Sequence, residues 1–432
     1  MRRLTAISLA SAMALTVCLG GCNVSNTNGA AGSMVSKPET SVRPSHAPDG
    51  AMVQEPYQTA IPALTSFAAW QRSNAWYHFE MANASEGYRW GYMNGRFAMQ
   101  RTSNEGGAWS TISLPVTFTT ADGTTGSGWS ENPNVQIVGP DSIFVYGIQG
   151  QTLVACRSAD AGQHWIVSKS NLGRTGYQLV SVSQPSRSDA WLWLTRGTGN
   201  QGETRFLHLI SRSNQATVAS MRTGVIDNGK GGVIDGAWTF NNDKQGWMAA
   251  ISPTGQLYLC QTNDGGSTWT SRLLHAPKPL GALPAVRVYA PVRLGSEGTF
   301  VAVFQANRQG AADNRVVVFR SRDGGKTFAG QLVDRLDQAQ ANVEGAPAVF
   351  INPDNGFAVS RDRLLRTTDS GDSWRWEHSN SLETALQKYP CVLGIDFLTE
   401  GIGYMLLGSR DHTQSVLFRT DDTGGWVPAD HG

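Results

Sequence analysis

Three features repeat along this sequence of 432 residues and predict seven similar four-stranded units, which together make an all-β fold. The first is a turn pattern of the form Ser/Thr-x-Asp-x-Gly-x-x-aromatic. The second is a short apolar run before each turn, and the third is an aromatic residue further upstream, usually after glycine or another small residue. Short apolar runs bounded by turn residues are typical of strands buried on both faces. We therefore predict a single seven-bladed β-propeller of four-stranded antiparallel blades, with the repeated turn between strands 3 and 4.

The turn pattern occurs four times in full and twice in a weaker form. The full copies begin at Ser158, Thr262, Ser321 and Thr367, and their third and last residues are Asp160 and Trp165, Asp264 and Trp269, Asp323 and Phe328, and Asp369 and Trp374. The weaker copies begin at Thr102, with Asn104 and Trp109, and at Thr420, with Asp422 and a Trp426 that comes one residue early. A seventh place, at Ser211, lies where a copy is due but lacks the Asp and the Gly. Successive copies start 46 to 59 residues apart, so each interval has room for one four-stranded blade.

Each position in this pattern has a structural role. An Asp before a tight turn accepts hydrogen bonds from the backbone N–H groups that follow it, the Ser/Thr hydroxyl adds a local bond, and Gly supplies a positive φ. The aromatic residue begins the next strand and packs under the turn. We therefore assign the Asp, Asn and aromatic residues of all six copies to structure. On this interpretation Asp264→Ala leaves buried N–H groups unpaired, at a cost of about 1 to 3 kcal/mol, and Trp269→Ala costs roughly 3 to 5 kcal/mol.

The upstream features place the remaining strands. An apolar residue lies two positions before all but the first turn, and an arginine lies immediately before five of the seven: Arg101, Arg157, Arg320, Arg366 and Arg419. The aromatic residues that mark the preceding strand are Tyr88, Phe144, Trp191, Trp247, Phe300, Phe357 and Tyr404. A further apolar segment before each of these aromatics completes the four strands. Blades are therefore predicted to begin near residues 75, 133, 178, 237, 286, 347 and 392.

The repeat resembles the Asp-box, or BNR, repeat of sialidases, of sortilin-type receptors and of the photosystem II assembly-factor family. The units that end in LCQTNDGGSTW (259–269) and LLRTTDSGDSW (364–374) are most similar to the last of these. The resemblance extends from about Ala75 to the C-terminus and implies a propeller. A sialidase would also carry an arginine trio, a Tyr/Glu nucleophile pair, an Asp acid and an Arg-Ile-Pro motif. The nearest string to that motif, Val42-Arg43-Pro44, lacks the Ile, and seven repeats rather than six also argue against that activity.

The first 22 residues are predicted to be a bacterial lipoprotein signal peptide. Arg2 and Arg3 form a positive start, an apolar segment follows, and the string Leu19-Gly20-Gly21-Cys22 resembles a lipobox. Lipidation of Cys22 would anchor the protein to the cell membrane on its extracytoplasmic side. The alternative is an ordinary signal peptide with an incidental cysteine.

Two further segments follow the signal peptide. Residues 23–62 are rich in Ser, Thr, Asn, Gly and Pro and are predicted to be a disordered tether, because they cannot bury enough apolar surface to become ordered. Residues 63–432 are predicted to form the propeller. The apolar stretch 64–71 precedes the first complete repeat, and it either closes the ring beside the last blade or caps one face.

Composition and cysteine usage exclude several classes of function. Lys and Arg total 35 against 34 Asp and Glu, with no basic run, so nucleic-acid binding is not expected. Cys156 and Cys260 occupy the same strand position in blades two apart, too far for a disulfide, and Cys391 has no evident partner. No metal-ligand spacing and no phosphate-binding loop occurs, so no metal and no cofactor is expected. We expect a monomer.

The topology indicates where function could lie. In such a blade the turns between strands 1 and 2 and between strands 3 and 4 share one face of the ring, and the longer, variable segments fall on the other. Variable loops on a rigid frame are where binding usually occurs. The candidate partner-binding residues there are Trp129, Arg196, Arg308 and Arg410. We therefore predict a non-catalytic binding or assembly scaffold for a protein or glycan partner. The alternative is a glycosidase acting on cell-surface glycans, which would need two facing carboxylates.

Overall fold

The computed structural model describes residues 74–118, 133–196, 203–212, 215–223, 235–252, 254–280, 283–294, 297–308, 311–337, 342–343, 345–359, 362–421 and 424–429. Within these ranges the chain forms seven sheets of antiparallel strands, and the predicted seven-bladed β-propeller is confirmed. The blades begin at residues 75, 134, 177, 235, 285, 348 and 391, each within two residues of its predicted start. Cys22, the tether and the 64–71 segment lie outside the described residues.

The four main strands of every blade pair in chain order, so that each sheet is an up-and-down meander. The strands of blades 1 to 3 are β1 (Ala75–Met81), β2 (Gly87–Met93), β3 (Arg96–Thr102), β4 (Ser110–Ile112), β5 (Asn134–Ile137), β6 (Ile143–Gln149), β7 (Thr152–Ser158), β8 (Ile166–Asn171), β9 (Tyr177–Ser183), β10 (Asp189–Arg196), β11 (Glu203–Arg212) and β12 (Gln215–Thr223). The strands of blades 4 to 7 are β13 (Asp235–Phe240), β14 (Gly246–Ile251), β15 (Leu257–Thr262), β16 (Thr270–Leu274), β17 (Ala285–Val288), β18 (Val292–Leu294), β19 (Glu297–Arg308), β20 (Ala311–Ser321), β21 (Ala329–Asp337), β23 (Ala348–Phe350), β24 (Gly356–Val359), β25 (Leu364–Thr367), β26 (Arg375–Glu377), β27 (Cys391–Thr399), β28 (Ile402–Gly408), β29 (Ser415–Thr420) and β30 (Trp426–Pro428). Between blades 5 and 6 lies the short strand β22 (Asn342–Val343).

Three elements go beyond the four-strand plan. In blade 5 the short strand β18 also pairs with β19, and in blade 7 the two residues of β22 pair in parallel with β27. The link between blades 6 and 7, which the sequence suggested was a loop, contains helix α1 (Asn380–Lys388). The Ser379 hydroxyl caps this helix by accepting a bond from the Leu382 N–H. Within the described ranges no helix has both the length and the apolar character needed to cross a membrane.

Burial along the strands follows from the way the blades pack face to face. All six residues of β14 are buried, because its sheet lies between two neighbouring sheets. The outer strands are less covered: β8 alternates between half-buried and exposed residues. The central strands therefore supply most of the core, and the outer strand of a blade can carry exposed side chains.

A second turn pattern, which the sequence analysis missed, joins strands 1 and 2. In blade 1 the Asn83 Oδ1 accepts bonds from the backbone N–H groups two and three residues later, at 2.9 and 2.8 Å. Asn242 and Asn352 make the same pair of bonds, and the hydroxyls of Ser186 and Thr399 replace the amide in blades 3 and 7. Each of these residues lies four positions before a Gly or Ala that precedes the strand 2 aromatic. The pattern was visible as Asn/Ser/Thr-x-x-x-Gly/Ala-aromatic.

Side chains join the first blade to the last. The Asp396 Oδ2 of β27 accepts a bond from the Met81 N–H of β1 at 3.2 Å, and the Tyr404 hydroxyl donates to the Ala84 carbonyl at 2.7 Å. Gly106, with φ +88°, packs so closely on Ala429 that an added Cβ would lie 2.9 Å from the Ala429 Cβ. Blades 1 and 7 are thus fastened by side-chain bonds and close packing.

Candidate functional site on the loop face

The two faces of the ring are distinguished by their turns. In blades 1, 2, 4 and 6 a backbone N–H of the repeated turn donates to a carbonyl of the turn between strands 1 and 2, for example Gly265 to Lys244 at 2.8 Å. Both kinds of turn therefore lie on one face, which we call the box face. The turns between strands 2 and 3 and the links between blades lie on the other, which we call the loop face.

The repeated turns have one geometry. In blade 4 the Thr262 hydroxyl donates to the Asp264 Oδ1 at 2.8 Å and accepts from the Gly266 N–H at 2.8 Å, while that Oδ1 also accepts from the Thr268 N–H at 2.8 Å. Blades 1, 2, 5 and 6 repeat these bonds around Asn104, Asp160, Asp323 and Asp369. The bonds from the backbone N–H and side chain of Thr268 lower the pKa of Asp264 to about 2.

The structure reverses one expectation about this turn. Asp264 is exposed, whereas Thr262 and Gly266 are buried, so the hydroxyl rather than the carboxylate meets the buried N–H. The last copy also differs, because Asp422 lies outside the described residues and Asp421 Oδ1 accepts the bond from the Gly425 N–H at 2.7 Å. The one-residue deletion before Trp426 thus moves the acceptor back by one position.

The aromatic residues of the turns pack against other rings. Trp269, Phe328, Trp374 and Trp426 meet Phe240, Trp247, Phe350 and Phe397 at centroid distances of 5.9 to 6.1 Å and near-perpendicular angles. The Trp165 Nε1 donates to the Gly162 carbonyl at 3.1 Å, and the Trp109 ring lies 4.3 Å from the Arg89 guanidinium. Trp269 is only half-buried, so an alanine there costs less than the loss of a fully buried Trp.

The buried hydroxyl gives a test of the turn. Thr262→Val is expected to lower the free energy of unfolding by about 1 to 3 kcal/mol, because it leaves the Gly266 N–H buried and unpaired. Asp264→Asn, which keeps an acceptor at an exposed position, is the matched control and is expected to cost under about 1 kcal/mol. Urea unfolding measures both. A larger loss of unfolding free energy for Asp264→Asn than for Thr262→Val would show that the carboxylate stabilises the turn more than the hydroxyl does.

The four predicted partner-binding residues are not gathered into one cluster. Trp129 lies outside the described residues, and Arg308 ends β19 with a side chain outside the described part of the structure. Arg196 ends β10, and Arg410 lies exposed in the turn between β28 and β29. The three arginines belong to blades 3, 5 and 7, so the sequence assigned them to one face without showing how far apart around the ring they lie.

Arg196 belongs to a basic cluster at the loop-face end of blade 3. Its guanidinium lies 5.8 Å from the centroid of the Tyr177 ring, and that of Arg205 lies 4.7 Å from the same centroid. The Arg205 Nη1 also donates to the Leu172 carbonyl at 2.7 Å. Tyr177 is buried, so the cluster is packed into the blade.

A more exposed cluster, which the sequence analysis missed, lies at the loop-face end of blade 6. Trp376 of β26 is 38% exposed and is one of four large apolar side chains exposed in the described part of the chain. The Arg363 guanidinium lies 4.6 Å from the centroid of its ring, and the His378 ring centroid is 3.8 Å away. We call Trp376, Arg363 and His378 the Trp376 platform.

The platform is held in place by its neighbours. The Arg363 Nη2 donates to the Asp362 Oδ2 at 2.7 Å, which fixes the guanidinium over the indole. The His378 Nδ1 lies 3.7 Å from the Glu383 Oε1 of helix α1. A sequence signal for the platform was present. The residue two positions after the turn aromatic is a tryptophan in blade 6, whereas in the other blades that carry the turn it is Thr111, Val167, Ser271, Gly330 or Pro428.

Two acidic side chains meet in the interior rather than at a face. Glu80 and Asp396 are 9% and 6% exposed, beside the bond that joins the first and last blades. Burial raises the pKa of Asp396 to about 6, and burial followed by the charge of Asp396 raises the pKa of Glu80 well above its usual range. Burial likewise lowers the pKa of His78 to about 3. This pair therefore lies away from solvent and does not form an accessible acid and base.

Cys156, Cys260 and Cys391 are all buried, and burial raises the pKa of Cys156 and of Cys260 to about 12. The thiols of Cys156 and Cys260 are therefore protonated and inert at neutral pH. Among the residues that the structure describes, no three His, Cys, Asp or Glu side chains are grouped so as to hold a metal ion.

Among known proteins, this chain is similar only to solved structures, and at low sequence identity. No protein-family model and no curated protein matches this chain. Similar solved structures include YCF48 from Cyanidioschyzon merolae, at 14% identity over 81% of this chain and 95% of that one, with a TM-score of 0.45. An ulvan lyase of polysaccharide lyase family PL25 is 12% identical over 86% and 96%, with a TM-score of 0.44. The fucose-specific lectin from Aleuria aurantia is 11% identical over 75% and 96%, with a TM-score of 0.37. These likenesses carry no argument about ligand or activity.

Proposed function

We propose that this chain is an extracytoplasmic, lipid-anchored propeller that binds a partner protein on its loop face and catalyses no reaction itself. The observation that carries this proposal is the Trp376 platform, an exposed indole in contact with a guanidinium and an imidazole. Cys22 would supply the anchor.

The chemistry of the platform is that of an interface anchor. A single exposed apolar side chain is ordinary on a protein surface. Trp and Arg, however, are the residues that most often carry the binding energy of protein interfaces, where they bury large areas with few rotatable bonds. Arg363 is already fixed by Asp362, so a partner that covers the indole would not have to order it.

Rigidity favours the same interpretation. Trp376 lies on a strand that pairs with β25, and its cross-strand partner Leu365 is 1% exposed. A side chain mounted on a packed sheet holds its geometry better than one on a loop, which lowers the entropy cost of binding. Arg196 and Arg410 would then contribute to the edge of the interface from blades 3 and 7.

The experiment compares two changes at the same repeat position. Trp376→Ala is expected to weaken partner capture roughly 30-fold or more, which is the loss typical of a central hot-spot tryptophan. Val167→Ala is the matched control, because Val167 is 37% exposed at the equivalent position of blade 2. The full chain serves as bait on solubilised membranes, and the captured protein is then titrated against each purified variant. In the same cells, Cys22→Ser should move the chain from the membrane to the soluble extracytoplasmic fraction.

Three results would contradict this function. Capture that is weakened equally by both changes would show that the platform is not the anchor. Capture of glycans alone, tested on a panel of neutral and acidic polysaccharides, would replace the protein partner by a glycan. Turnover of a sialoside or a β-glucan by the purified chain would establish the glycosidase alternative.

A further inference from the structure

We propose that a cavity on the outer part of blade 6, on its box-face half, binds an oxyanion. The cavity has a volume of about 190 Å³ and is lined by Arg366, Thr368, Ser373, Arg375 and Glu377. It opens on the side of the blade that faces blade 7, since the Arg366 Nη2 donates to the Glu400 Oε2 of that blade. The site is separate from the Trp376 platform, because Arg363 and Trp376 lie on the opposite face of the same two strands.

Two arginines face each other across the cavity. Arg366 of β25 and Arg375 of β26 are direct partners in the sheet, so their side chains leave the same face. Like charges placed directly opposite each other destabilise a strand pair. In the other blades the residue that pairs with this position of strand 3 is Ser110, Ile166, Thr217, Thr270, Ala329 or Val427. A second cation at this pair of positions is thus specific to blade 6. An anion between the two guanidiniums would offset the repulsion between them.

Apart from the Glu377 carboxylate, the free hydrogen-bonding groups of the cavity are mostly donors. The Arg366 Nε is buried and has no hydrogen-bond partner, and Arg375 makes no ion pair or hydrogen bond with any described residue. The Ser373 hydroxyl is committed to Asp369, whereas the Thr368 hydroxyl remains available. A guanidinium carries donors only. The complementary ligand is therefore an acceptor-rich group such as sulfate, phosphate or a carboxylate.

The cavity also contains one acidic side chain, that of Glu377. Glu400 is engaged by Arg366, and Glu377 lies two residues beyond Arg375 along β26, toward the loop face. An anion bound between the arginines would lie on the box-face side of Glu377, beside Thr368 and Ser373. Arginine pairs bind such groups through parallel N–H donors, which gives geometry as well as charge.

Inorganic sulfate is the probe for this site. Equilibrium dialysis of the full chain against radiolabelled sulfate, with ionic strength held constant by chloride, should show saturable binding of about one sulfate per chain. Arg375→Thr should weaken that binding about tenfold, the effect of losing one charge-assisted hydrogen bond. Thr270 occupies the equivalent place in blade 4, so the variant is compatible with the fold, and an unchanged melting temperature checks this. Lys244→Ser removes an exposed cation from the box face of blade 4 and is the charge-matched control.

A second arm distinguishes the two sources of such a group. Sulfated dextran that displaces sulfate, and binds Arg375→Thr about tenfold more weakly than wild type, would show that the cavity accepts the anion on a polysaccharide. Sulfated dextran that binds both proteins equally, while free sulfate discriminates between them, would assign the cavity to free anions. Absence of saturable sulfate binding, or equal weakening by Arg375→Thr and Lys244→Ser, overturns the proposal. These outcomes test the anion site alone, and none of them bears on partner capture through the Trp376 platform.

Discussion

Trp238→Ala is expected to lower the free energy of unfolding by about 3 to 5 kcal/mol, the usual cost of removing a buried tryptophan. Trp238 is 1% exposed and lies at the centre of the contact between blades 3 and 4. Its ring centroid is 5.9 Å from that of Trp193, 5.0 Å from that of Phe206 and 5.3 Å from that of Phe240.

Two further variants make this expectation specific. Trp238→Phe keeps an aromatic ring and removes an Nε1 that is buried without a hydrogen-bond partner, so it should cost clearly less than the alanine. Trp376→Ala deletes the same side chain at an exposed position and should change stability by under about 1 kcal/mol. Urea unfolding, followed by fluorescence and by circular dichroism, measures all three. A cost for Trp376→Ala equal to that of Trp238→Ala would show that the platform is part of the core and would remove it as a binding site.

The architecture could be predicted from the sequence because each blade carries its own local signals. The turn from Thr262 to Trp269 fastens itself through bonds that span four residues, so its signature is contiguous in the chain. Six copies of the turn, with a seventh place at Ser211 where a copy is due, also fix the number of blades. Even the copy at Thr420, shortened by one residue, marks its place, although the acceptor there is Asp421 rather than Asp422.

The candidate sites could not be predicted in the same way, because they depend on differences between blades. The Trp376 platform requires the register of β25 against β26, which places Arg363 beside an indole that lies 13 positions later in the chain. The Arg366 and Arg375 pair depends on that same register. The sequence placed Arg196, Arg308 and Arg410 on one face of the ring. It did not show that the three arginines belong to separate blades and are not gathered into one cluster. The repeat predicts the features that the blades share, whereas the candidate binding residues are those that differ between blades.

The contact between Glu80 and Asp396 depends on pairing between the two ends of the chain. These residues are separated by more than 300 positions, and they meet only because the last blade closes on the first. Neither belongs to the repeated turn, and no local pattern marks them. Their burial, with the Met81 N–H as a bonding partner of Asp396, makes the closure of the ring sensitive to pH.

The sign of this sensitivity follows from the direction of the pKa shifts. Burial raises the pKa of Asp396 from 3.8 to about 6, so the folded protein holds that proton more tightly than the unfolded chain. The resulting stabilisation is fully present below about pH 4 and is lost as the pH rises through about 6. His78 acts in the opposite sense, because burial lowers its pKa to about 3. Glu80, whose pKa is also raised by burial and by the charge of Asp396, acts in the same sense as Asp396. The pH dependence of the wild type's stability therefore mixes these groups, and the difference between the wild type and an Asp396 variant is needed to isolate the Asp396 carboxyl group.

Asp396→Asn is expected to become progressively more stable than the wild type as the pH rises, by about 2 kcal/mol between roughly pH 4.5 and pH 7.5. The amide oxygen can still accept the Met81 N–H, and the uncharged group no longer has to ionise in the interior. Asp411→Asn is the matched control: its hydrogen bonds to Ser409 and Thr413 lower the pKa of Asp411 to about 2, so the aspartate stays ionised throughout this range. Urea unfolding at a series of pH values gives the differences in free energy. A difference between Asp396→Asn and wild type that stays constant with pH, or that parallels the one for Asp411→Asn, would show that Asp396 is ionised in the folded protein and that the first and last blades are joined by a charged acceptor.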